Sequence, residues 1–272
     1  MVSTIRRIAV AMVSVGVTLT VAACGTSGAS NTTTSTSSAS DTTTSSAPSK
    51  TFIIASDNAF APFEYLDTTT NKYVGVDMDI LAAVAADQGF NYEVRNVGFD
   101  ASMGQVQAGQ ADGMIAGMTI TDERKATFDF SDGYFSDGQI LVVQSGSSIA
   151  SLDDLKGVNV AVKTSTQGAT YAKSISDQYG FTLQYYEDSP TMYTAVINGS
   201  NGACFEDRSV IGWAIKSQSL NLKTVGDVIN PGQYGFAVKK GTNADLLDMF
   251  NKGLANIKAN GQYNEILAKY GY

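Results

Sequence analysis

The chain has 272 residues, and its 18 Lys and Arg against 26 Asp and Glu give a formal net charge of −8. This acidic balance disfavours nucleic acid and anionic membrane surfaces as partners. The sequence contains no histidine, which excludes Ser-His-Asp and Cys-His catalysis and most catalytic zinc sites. No cofactor and no metal are therefore expected.

Residues 1–23 have the pattern of a secretory signal peptide, with two arginines ahead of an apolar run at residues 8–21. The run is shorter than the roughly 20 residues that a membrane-spanning helix needs, so a permanent transmembrane anchor is not expected. Residues 21–24 resemble the bacterial lipobox. That resemblance implies that Cys24 is lipidated on sulfur and becomes the mature N-terminus. The alternative is an ordinary signal peptide with an incidental Cys24.

Residues 24–50 consist of Cys24 and a polar segment that follows it directly and contains almost entirely Ser, Thr, Ala and Gly. Such a composition cannot bury a core, and it predicts a disordered tether. The tether resembles those of lipoproteins from Gram-positive bacteria, which implies attachment to the outer face of the cell membrane. If Cys24 carries lipid, Cys204 has no disulfide partner and is expected to be a buried thiol.

Residues 51–272 are long enough to bury a large core, as one domain or as two lobes. Strand-like and helix-like segments alternate along them, which indicates an α/β fold with largely parallel sheets. The predicted strands are 51–56, 92–97, 114–118, 128–135, 139–144, 158–162, 183–186, 203–205 and 234–238, with a hairpin at 65–76. The predicted helices are near 77–89, 100–109, from 121, 151–157, 169–179, 190–198, 210–218, 244–260 and 264–270.

Residues 116–124 join the end of a buried strand to the start of a predicted helix. Thr121 is a good N-cap for that helix, and acidic residues suit its positive end. Arg124 opposes the helix dipole there, at a cost of roughly 0.3–1 kcal/mol. A guanidinium beside free N–H groups and threonine hydroxyls suits a carboxylate ligand. The alternative is a surface arginine paired with Asp122 or Glu123.

Polar loops follow the carboxyl ends of five predicted strands, and in open α/β sheets that edge is where ligands bind. The loops are at 57–60, 99, 119–124, 163–167 and 206–207. Taken singly, Asp207 is more typical of a helix N-cap, Lys163 of a solvated lysine, and Phe60 and Phe99 of a core. Asp77 or Asp79 is expected to cap one helix and Asp100 the next.

Six segments in order resemble the motifs of one family: 57–64, 75–79, 116–124, 128–131, 161–163 and 206–207. The chain is similar to the polar amino-acid-binding proteins of ABC importers, solute-binding protein family 3, and most of all to the glutamine-binding branch. The resemblance implies a two-lobed periplasmic-binding-protein-like α/β fold, with two hinge-crossing strands and a ligand cleft between the lobes. Lobe 1 would be residues 51–136, lobe 2 would be 137–233, and 234–272 would return to lobe 1.

The resemblance also implies how the α-groups of an amino acid are bound. Arg124 would bind the α-carboxylate, helped by Thr119 and the loop at Thr166. Asp207 would bind the α-ammonium, with further acceptors at Gly117 and Thr119. This agrees with the chemistry of a zwitterion, for which a dry site must supply one fixed cation and one fixed anion.

The same resemblance implies which residues contact the side chain of the ligand. Phe60 and Phe99 would hold the aliphatic stem of the ligand between them. Asp57 and Lys163 would reach its head, one accepting and one donating a hydrogen bond, which suits an amide.

Two residues depart from the family pattern. Glu206 stands where some glutamine-binding relatives carry histidine, and it would either form a salt bridge with Lys163 or favour a cationic side chain. Gln167 stands where the family loop usually carries glycine, and it would narrow that side of the pocket. Glutamate, asparagine or a basic amino acid are therefore alternatives to glutamine.

The predicted function is that of a monomeric extracytoplasmic binding protein, which captures an amino acid by cleft closure and delivers it to a permease and ATPase complex. An enzyme on the same fold, similar to dehydratases, is one alternative. Without histidine, only Asp57, Glu206 or Lys163 would be available as its acid or base, and no activated pair is evident. A sensory or adhesive surface lipoprotein is the other alternative.

Overall fold

The structure, a computed structural model, describes residues 50–272. The predicted signal peptide, the lipidation site Cys24 and most of the predicted tether lie outside the described residues. Among residues 50–272, no helix combines the length and the apolar character that a membrane crossing needs.

Strands and helices alternate along much of the chain, as predicted, but the predicted strand 114–118 is only Gly113–Met114 and the predicted strand 128–135 is only Phe128–Phe130. The strands are β1 Thr51–Ser56, β2 Ala59–Phe60, β3 Glu64–Asp67, β4 Lys72–Val74, β5 Asn91–Asn96, β6 Gly113–Met114, β7 Phe128–Phe130, β8 Phe135–Gln144, β9 Asn159–Lys163, β10 Thr182–Tyr186, β11 Ala203–Asp207, β12 Leu222–Tyr234 and β13 Ala237–Lys239. The helices are α1 Val76–Gln88, α2 Phe99–Gln107, α3 Gln167–Tyr179, α4 Ser189–Ile197, α5 Arg208–Gln218, α6 Ala244–Ala259 and α7 Gln262–Lys269. Short 3-10 helices occupy Arg124–Ala126 and Leu152–Leu155.

The strands form two five-stranded sheets, in the orders β5-β1-β6-β13-β7 and β10-β9-β11-β8-β12, and a small sheet β2-β3-β4. Strands β1, β5 and β6 are parallel, as are β9, β10 and β11. In each large sheet one strand runs against the others, β13 in the first and β8 in the second. The predicted α/β fold is confirmed, with sheets that are mixed rather than wholly parallel.

Strands β8 and β12 run between the two large sheets, and we call them the crossing strands. They pair antiparallel with each other from Leu222 and Gln144 at one end to Tyr234 and Phe135 at the other. β8 follows β7 of the first sheet, and β12 leads to β13 of the same sheet. The fold therefore has the predicted two lobes, the first built on the β1 sheet and the second on the β9 sheet, with a cleft between them.

Strand β12 was not predicted, because residues 222–234 contain two glycines, an asparagine and a proline, which are typical of turns. The strand tolerates these residues through register shifts on either side of Ile229. It lies at the edge of its sheet, where a proline removes no ladder hydrogen bond. Pairing with β8, rather than local propensity, makes this segment a strand.

Helices cover both faces of each large sheet. In the first lobe, α1, α6 and α7 enclose a core in which Phe236 stacks on Phe250, with ring centroids 4.5 Å apart. α2 packs on the opposite face through Phe99 and Val106. In the second lobe, α3 packs on one face and α4 and α5 on the other, where Cys204 is buried as a free thiol, as predicted. The helices leave the carboxyl ends of the parallel strands open for a site.

Two helix starts differ from the prediction. Gly75 precedes α1 and Gly98 precedes α2, so the predicted caps at Asp77 or Asp79 and at Asp100 are wrong. At Gly75 the backbone has a φ of 139°, and an added Cβ would meet the carbonyl oxygen of Phe63 at 2.0 Å, so only glycine fits there. Asp77 is therefore free for another role, as a fully buried carboxylate.

Candidate functional site

One small cavity lies between the lobes, and all but one of the predicted site residues line it. Those residues are Phe60, Phe99, Gly117, Thr119, Arg124, Lys163, Thr166, Gln167, Glu206 and Asp207. Ala116, Gly168 and Phe205, which the sequence analysis did not select, also line it. The cavity measures about 20 Å³, which is room for about one water molecule. An amino acid can therefore enter only after the lobes separate.

Arg124 reaches the cavity from the first lobe and is 8% exposed. Its Nη1 donates to the backbone oxygen of Thr119, and its Nη2 to that of Ser165 in the second lobe, each at 2.9 Å. The guanidinium lies 5.3 Å from the ring centre of Phe99. Burial lowers the pKa of Arg124 to about 10, against the opposing effect of Asp207. It therefore remains a cation at neutral pH.

The local structure at Arg124 differs from the prediction. The expected helix from residue 121 is only the 3-10 helix Arg124–Ala126. The N-cap position of this turn is Glu123 rather than the predicted Thr121, although Oγ1 of Thr121 accepts a hydrogen bond from the backbone N–H of Arg124 at 3.2 Å. The predicted unfavourable interaction of Arg124 with a helix dipole is therefore wrong, since a single 3-10 turn carries little of the aligned dipole of a long helix.

Asp207 ends β11 on the opposite side of the cavity. Its Oδ1 accepts a hydrogen bond from Nε2 of Gln139 at 2.8 Å, and its Oδ2 accepts one from the hydroxyl of Tyr234 at 2.5 Å. Asp207 occupies the N-cap position of α5, but its side chain makes no capping hydrogen bond. The carboxylate thus faces a cation across the cavity, and this arrangement complements a zwitterion.

Lys163 and Asp57 form a buried salt bridge that joins the lobes, with side-chain exposures of 3% and 1%. Nζ of Lys163 also lies 4.6 Å from the ring centre of Phe60 and 5.6 Å from that of Phe99. Burial alone lowers the pKa of Lys163, but the adjacent Asp57 outweighs burial and raises it. Asp57 does not line the cavity, so it differs in this respect from the other predicted site residues.

Glu206 is buried beside Asp207, and its two oxygens are held by different donors. Oε2 accepts from the hydroxyl of Tyr193 at 2.7 Å, and Oε1 accepts from the backbone N–H of Asp207 at 2.9 Å. Among residues 50–272 it forms no salt bridge with Lys163, so that expected pairing is wrong. Burial, followed by the charge of Asp207, raises the pKa of Glu206 to about 7.

The loop that carries Gly117 is held from behind by Asp77. Oδ2 of Asp77 accepts hydrogen bonds from the Gly117 backbone N–H and the Tyr134 hydroxyl, both at 2.8 Å. Gly117 has a φ of 53°, and an added Cβ would lie 2.5 Å from the Phe60 ring. Burial raises the pKa of Glu64 well above its usual range, and the neighbouring Asp77 adds to this effect.

The start of α3 forms the remaining wall of the cavity. Oγ1 of Thr166 accepts from the backbone N–H of Ala169 at 3.2 Å and donates to the oxygen of Lys163 at 2.7 Å. Thr166 is therefore the N-cap of α3, and Gln167 is its first residue. The first backbone N–H groups of such a helix have no partner within the helix and favour an anion.

The buried acids predict how stability depends on pH. The pKa of Glu206 rises from 4.5 to about 7, and those of Asp77 and Asp137 rise from 3.8 to about 6, mainly through burial. At pH values between the unfolded and the folded pKa of each group, the folded state binds more protons than the unfolded state. The free energy of unfolding therefore falls as pH rises through this range. We expect the ligand-free protein to melt at a lower temperature at about pH 7 than at about pH 5.

Thermal unfolding followed by circular dichroism measures this slope. Glu206→Gln removes one of the titrating groups and should flatten the curve near neutral pH. The matched control is Glu93→Gln, which changes an exposed carboxylate on β5. A melting temperature that rises between about pH 5 and about pH 7 would contradict the assignment of these acids.

Residues 52–272 match the bacterial extracellular solute-binding proteins, family 3. A probable histidine-binding protein of Neisseria gonorrhoeae is 33% identical over 227 residues, covering 82% of this chain and 84% of the relative. The ABC transporter glutamine-binding protein GlnH of Bacillus subtilis is 30% identical over 266 residues, covering 96% of this chain and 95% of the relative.

Two solved structures have the same fold. The arginine-, lysine-, histidine-binding protein ArtJ of Geobacillus stearothermophilus is 32% identical, with a TM-score of 0.75 over 82% of this chain and 95% of that chain. Substrate-binding domain 2 of Lactococcus lactis GlnP, in an open conformation, is 42% identical, with a TM-score of 0.58 over 83% of this chain and 97% of that one. The chain therefore belongs to family 3 of the bacterial extracellular solute-binding proteins, the amino-acid-binding proteins of ABC importers.

Proposed function

We propose that this protein binds glutamine between its lobes and delivers it to the permease and ATPase of an ABC importer. The observation that carries the proposal is that Arg124 and Asp207, one cation and one anion, line the same buried cavity from opposite lobes. A free amino acid carries both charges, and burying it without two opposite partners would be strongly unfavourable.

The α-carboxylate would lie between Arg124 and the start of α3. Arg124 uses two hydrogen bonds to hold backbone oxygens, and its remaining N–H groups are available to the carboxylate. The backbone N–H groups that follow Thr166 would supply further donors. The α-ammonium would bind Asp207, with Gly117 and Thr119 contributing acceptors from the first lobe.

The charges at the side-chain end favour an amide over a cation. Lys163 and Asp57 together form a neutral pair. Lys163 lines the cavity as an N–H donor, and the Asp57 carboxylate beside it would accept the amide N–H₂ group once the ligand enters. A cationic side chain between Phe60 and Phe99 would meet the charge of Lys163, which already lies over both rings. Glu206 has a pKa of about 7 and is only partly ionised at neutral pH, so it adds little attraction for a cation.

Contacts between the lobes support closure as the binding step. Lys163 pairs with Asp57, Arg124 donates to the Ser165 oxygen, and the Ser165 hydroxyl donates to Asp100. The GlnP domain in its open conformation has the lower TM-score of the two structures despite its higher identity, as expected when two similar lobes differ in relative orientation. A ligand that binds the closed form preferentially shifts the population towards it, and the permease can recognise that form.

We infer the remaining features from the sequence. Residues 51–136 and 234–272 would make lobe 1, and residues 137–233 would make lobe 2. Cys24 would carry a lipid that holds a monomeric protein on the outer face of the cell membrane of a Gram-positive bacterium. The protein would be a carrier rather than an enzyme, because the acids around the cavity are held by hydrogen bonds and no histidine is present.

A thermal-shift screen of the standard amino acids tests the proposal, using the chain without residues 1–23. Glutamine at about 100 times its Kd should add about 2.7 kcal/mol to the free energy of unfolding. Its affinity should change little between about pH 6 and about pH 8, whereas a cationic ligand should bind more tightly as Glu206 loses its proton.

The same screen separates the parts of the proposal. A larger shift with arginine or histidine than with glutamine would overturn the choice of ligand and leave amino-acid binding intact. No shift with any amino acid would overturn the function itself.

A further inference from the structure

We propose that Gln139 and Tyr234, one from each crossing strand, are positioning residues that hold the Asp207 carboxylate in place for the ligand's α-ammonium group. The inference rests on the proposed function, since it assumes that Asp207 binds that ammonium. Neither residue lines the cavity, and neither was selected from the sequence. Both would act through Asp207 rather than by touching the ligand.

Each carboxylate oxygen of Asp207 accepts one hydrogen bond, and the two donors lie on different crossing strands. Nε2 of Gln139 binds Oδ1 at 2.8 Å, and the hydroxyl of Tyr234 binds Oδ2 at 2.5 Å. Gln139 and Tyr234 are each 1% exposed, so water does not compete for these bonds. A carboxylate bound at both oxygens cannot rotate about its last torsion, and its free lone pairs keep a fixed direction.

Both donors are neutral, and this matters for binding a cation. Among residues 50–272, no lysine or arginine forms a salt bridge with Asp207. An amide and a phenol can orient the carboxylate without neutralising its charge, whereas a lysine or arginine in their place would compete with the ammonium. The negative charge of Asp207 is thus left for the ligand.

Gln139 is fixed by the register of the second sheet. It lies opposite Asp207 of β11 on one side and opposite Ile229 of β12 on the other. Its Oε1 is buried without a hydrogen-bond partner in the described part of the chain. The side chain therefore serves Asp207 through its N–H₂ group while its own acceptor remains unpaired, which packing alone would not favour.

Tyr234 is anchored in the first lobe. Its ring packs against Phe63 at 5.1 Å and Phe135 at 5.8 Å, and its backbone bridges to Thr119. Its hydroxyl reaches Asp207 of the second lobe, and it lies 3.3 Å from Oδ2 of Asp137 as well. The bond from Tyr234 to Asp207 therefore spans the lobes and depends on their relative orientation. Asp207 would be fully positioned only in the closed form.

A matched pair of ligands tests the proposal, namely glutamine and glutaramate, which keeps the carboxylate and the amide of glutamine but lacks the α-ammonium. The variants are Tyr234→Phe, which removes one oxygen and keeps the ring, and Gln139→Met, which keeps the volume and removes the donor. Each should weaken glutamine binding about tenfold or more, by loss of a hydrogen bond to a charged group. Each should weaken glutaramate binding by a clearly smaller factor, because loss of the donor affects closure with either ligand but affects the ammonium contact only with glutamine.

Two further variants calibrate the result in calorimetric titrations of the chain without residues 1–23. Tyr186→Phe removes a second-lobe hydroxyl that donates to Asn201 at 2.6 Å, and it should change neither affinity. Asp207→Asn should abolish the preference for glutamine over glutaramate. Melting temperatures of all variants, measured without ligand, show that each is folded.

The outcomes separate the inference from the function on which it rests. If Asp207→Asn abolishes the preference while Tyr234→Phe and Gln139→Met retain it, the positioning role is overturned and the proposed function stands. Equal losses for both ligands would also overturn it, because they would indicate a structural role in the crossing strands. If Asp207→Asn retains the preference, the ammonium role of Asp207 and this inference both fail.

Discussion

Replacing Arg124 by alanine is expected to weaken amino-acid binding by roughly 2–5 kcal/mol, because a buried α-carboxylate would lose the guanidinium proposed to bind it. This corresponds to a rise in Kd of roughly 30-fold to several thousandfold. The side chain is buried, lines the cavity and keeps its charge at neutral pH, with a pKa of about 10. Isothermal titration calorimetry with glutamine measures the change directly.

Arg95→Ala is the matched control, since this arginine lies on β5 of the first lobe with its side chain 42% exposed. It should leave the affinity unchanged. The variant Arg124→Lys keeps a positive charge and loses the planar, two-pronged donor, so it should recover only part of the loss. Unchanged binding by Arg124→Ala would rule out the carboxylate role.

Replacing Lys163 by methionine is expected to weaken binding by about 3–5 kcal/mol, since it leaves Asp57 as an uncompensated charge in the closed cleft. The salt bridge joins the lobes and is almost fully buried. Opening the cleft would return Asp57 to water, so the penalty falls on the closed form rather than on folding. We therefore expect a large loss of ligand affinity and a small change in melting temperature.

A double-mutant cycle checks the origin of this effect. Asp57→Asn combined with Lys163→Met removes both charges and should bind better than Lys163→Met alone. Lys269→Met is the control for loss of an exposed pair, because Lys269 contacts Asp79 at 2.7 Å with 60% of its side chain exposed. Such pairs contribute about 0–1 kcal/mol. A double variant that binds worse than Lys163→Met would contradict the charge argument.

The fluorescence of a tryptophan can be used to follow closure of the cleft. Trp213 is the only tryptophan of the sequence. It lies on α5 of the second lobe, with its ring centre 5.6 Å from that of Tyr65 in the first lobe. Separation of the lobes should change its surroundings, so its fluorescence should respond to glutamine in the unchanged protein and respond less in Lys163→Met.

The sequence was sufficient for the parts of the fold that depend on local pattern. Buried strands such as β1 and β9, and the helices α3 and α6, were predicted close to their observed bounds because their apolar spacing and flanking residues are local signals. The segment 222–234 was missed because its glycines and proline are typical of turns. Only pairing with β8, far away in the sequence, makes it a strand.

The ordered motifs of the sequence, through their resemblance to one family, indicated which residue types line the cleft: the cation Arg124, the anion Asp207 and the aromatic pair Phe60 and Phe99. Their positions follow from the rule that loops at the carboxyl ends of parallel strands meet at one edge. The pairing of the charges, by contrast, depends on the tertiary structure. Lys163 binds Asp57 rather than Glu206, and Asp207 takes its donors from Gln139 and Tyr234. These partners are set by sheet register and by the meeting of two lobes, and neither is encoded in the spacing of neighbouring residues.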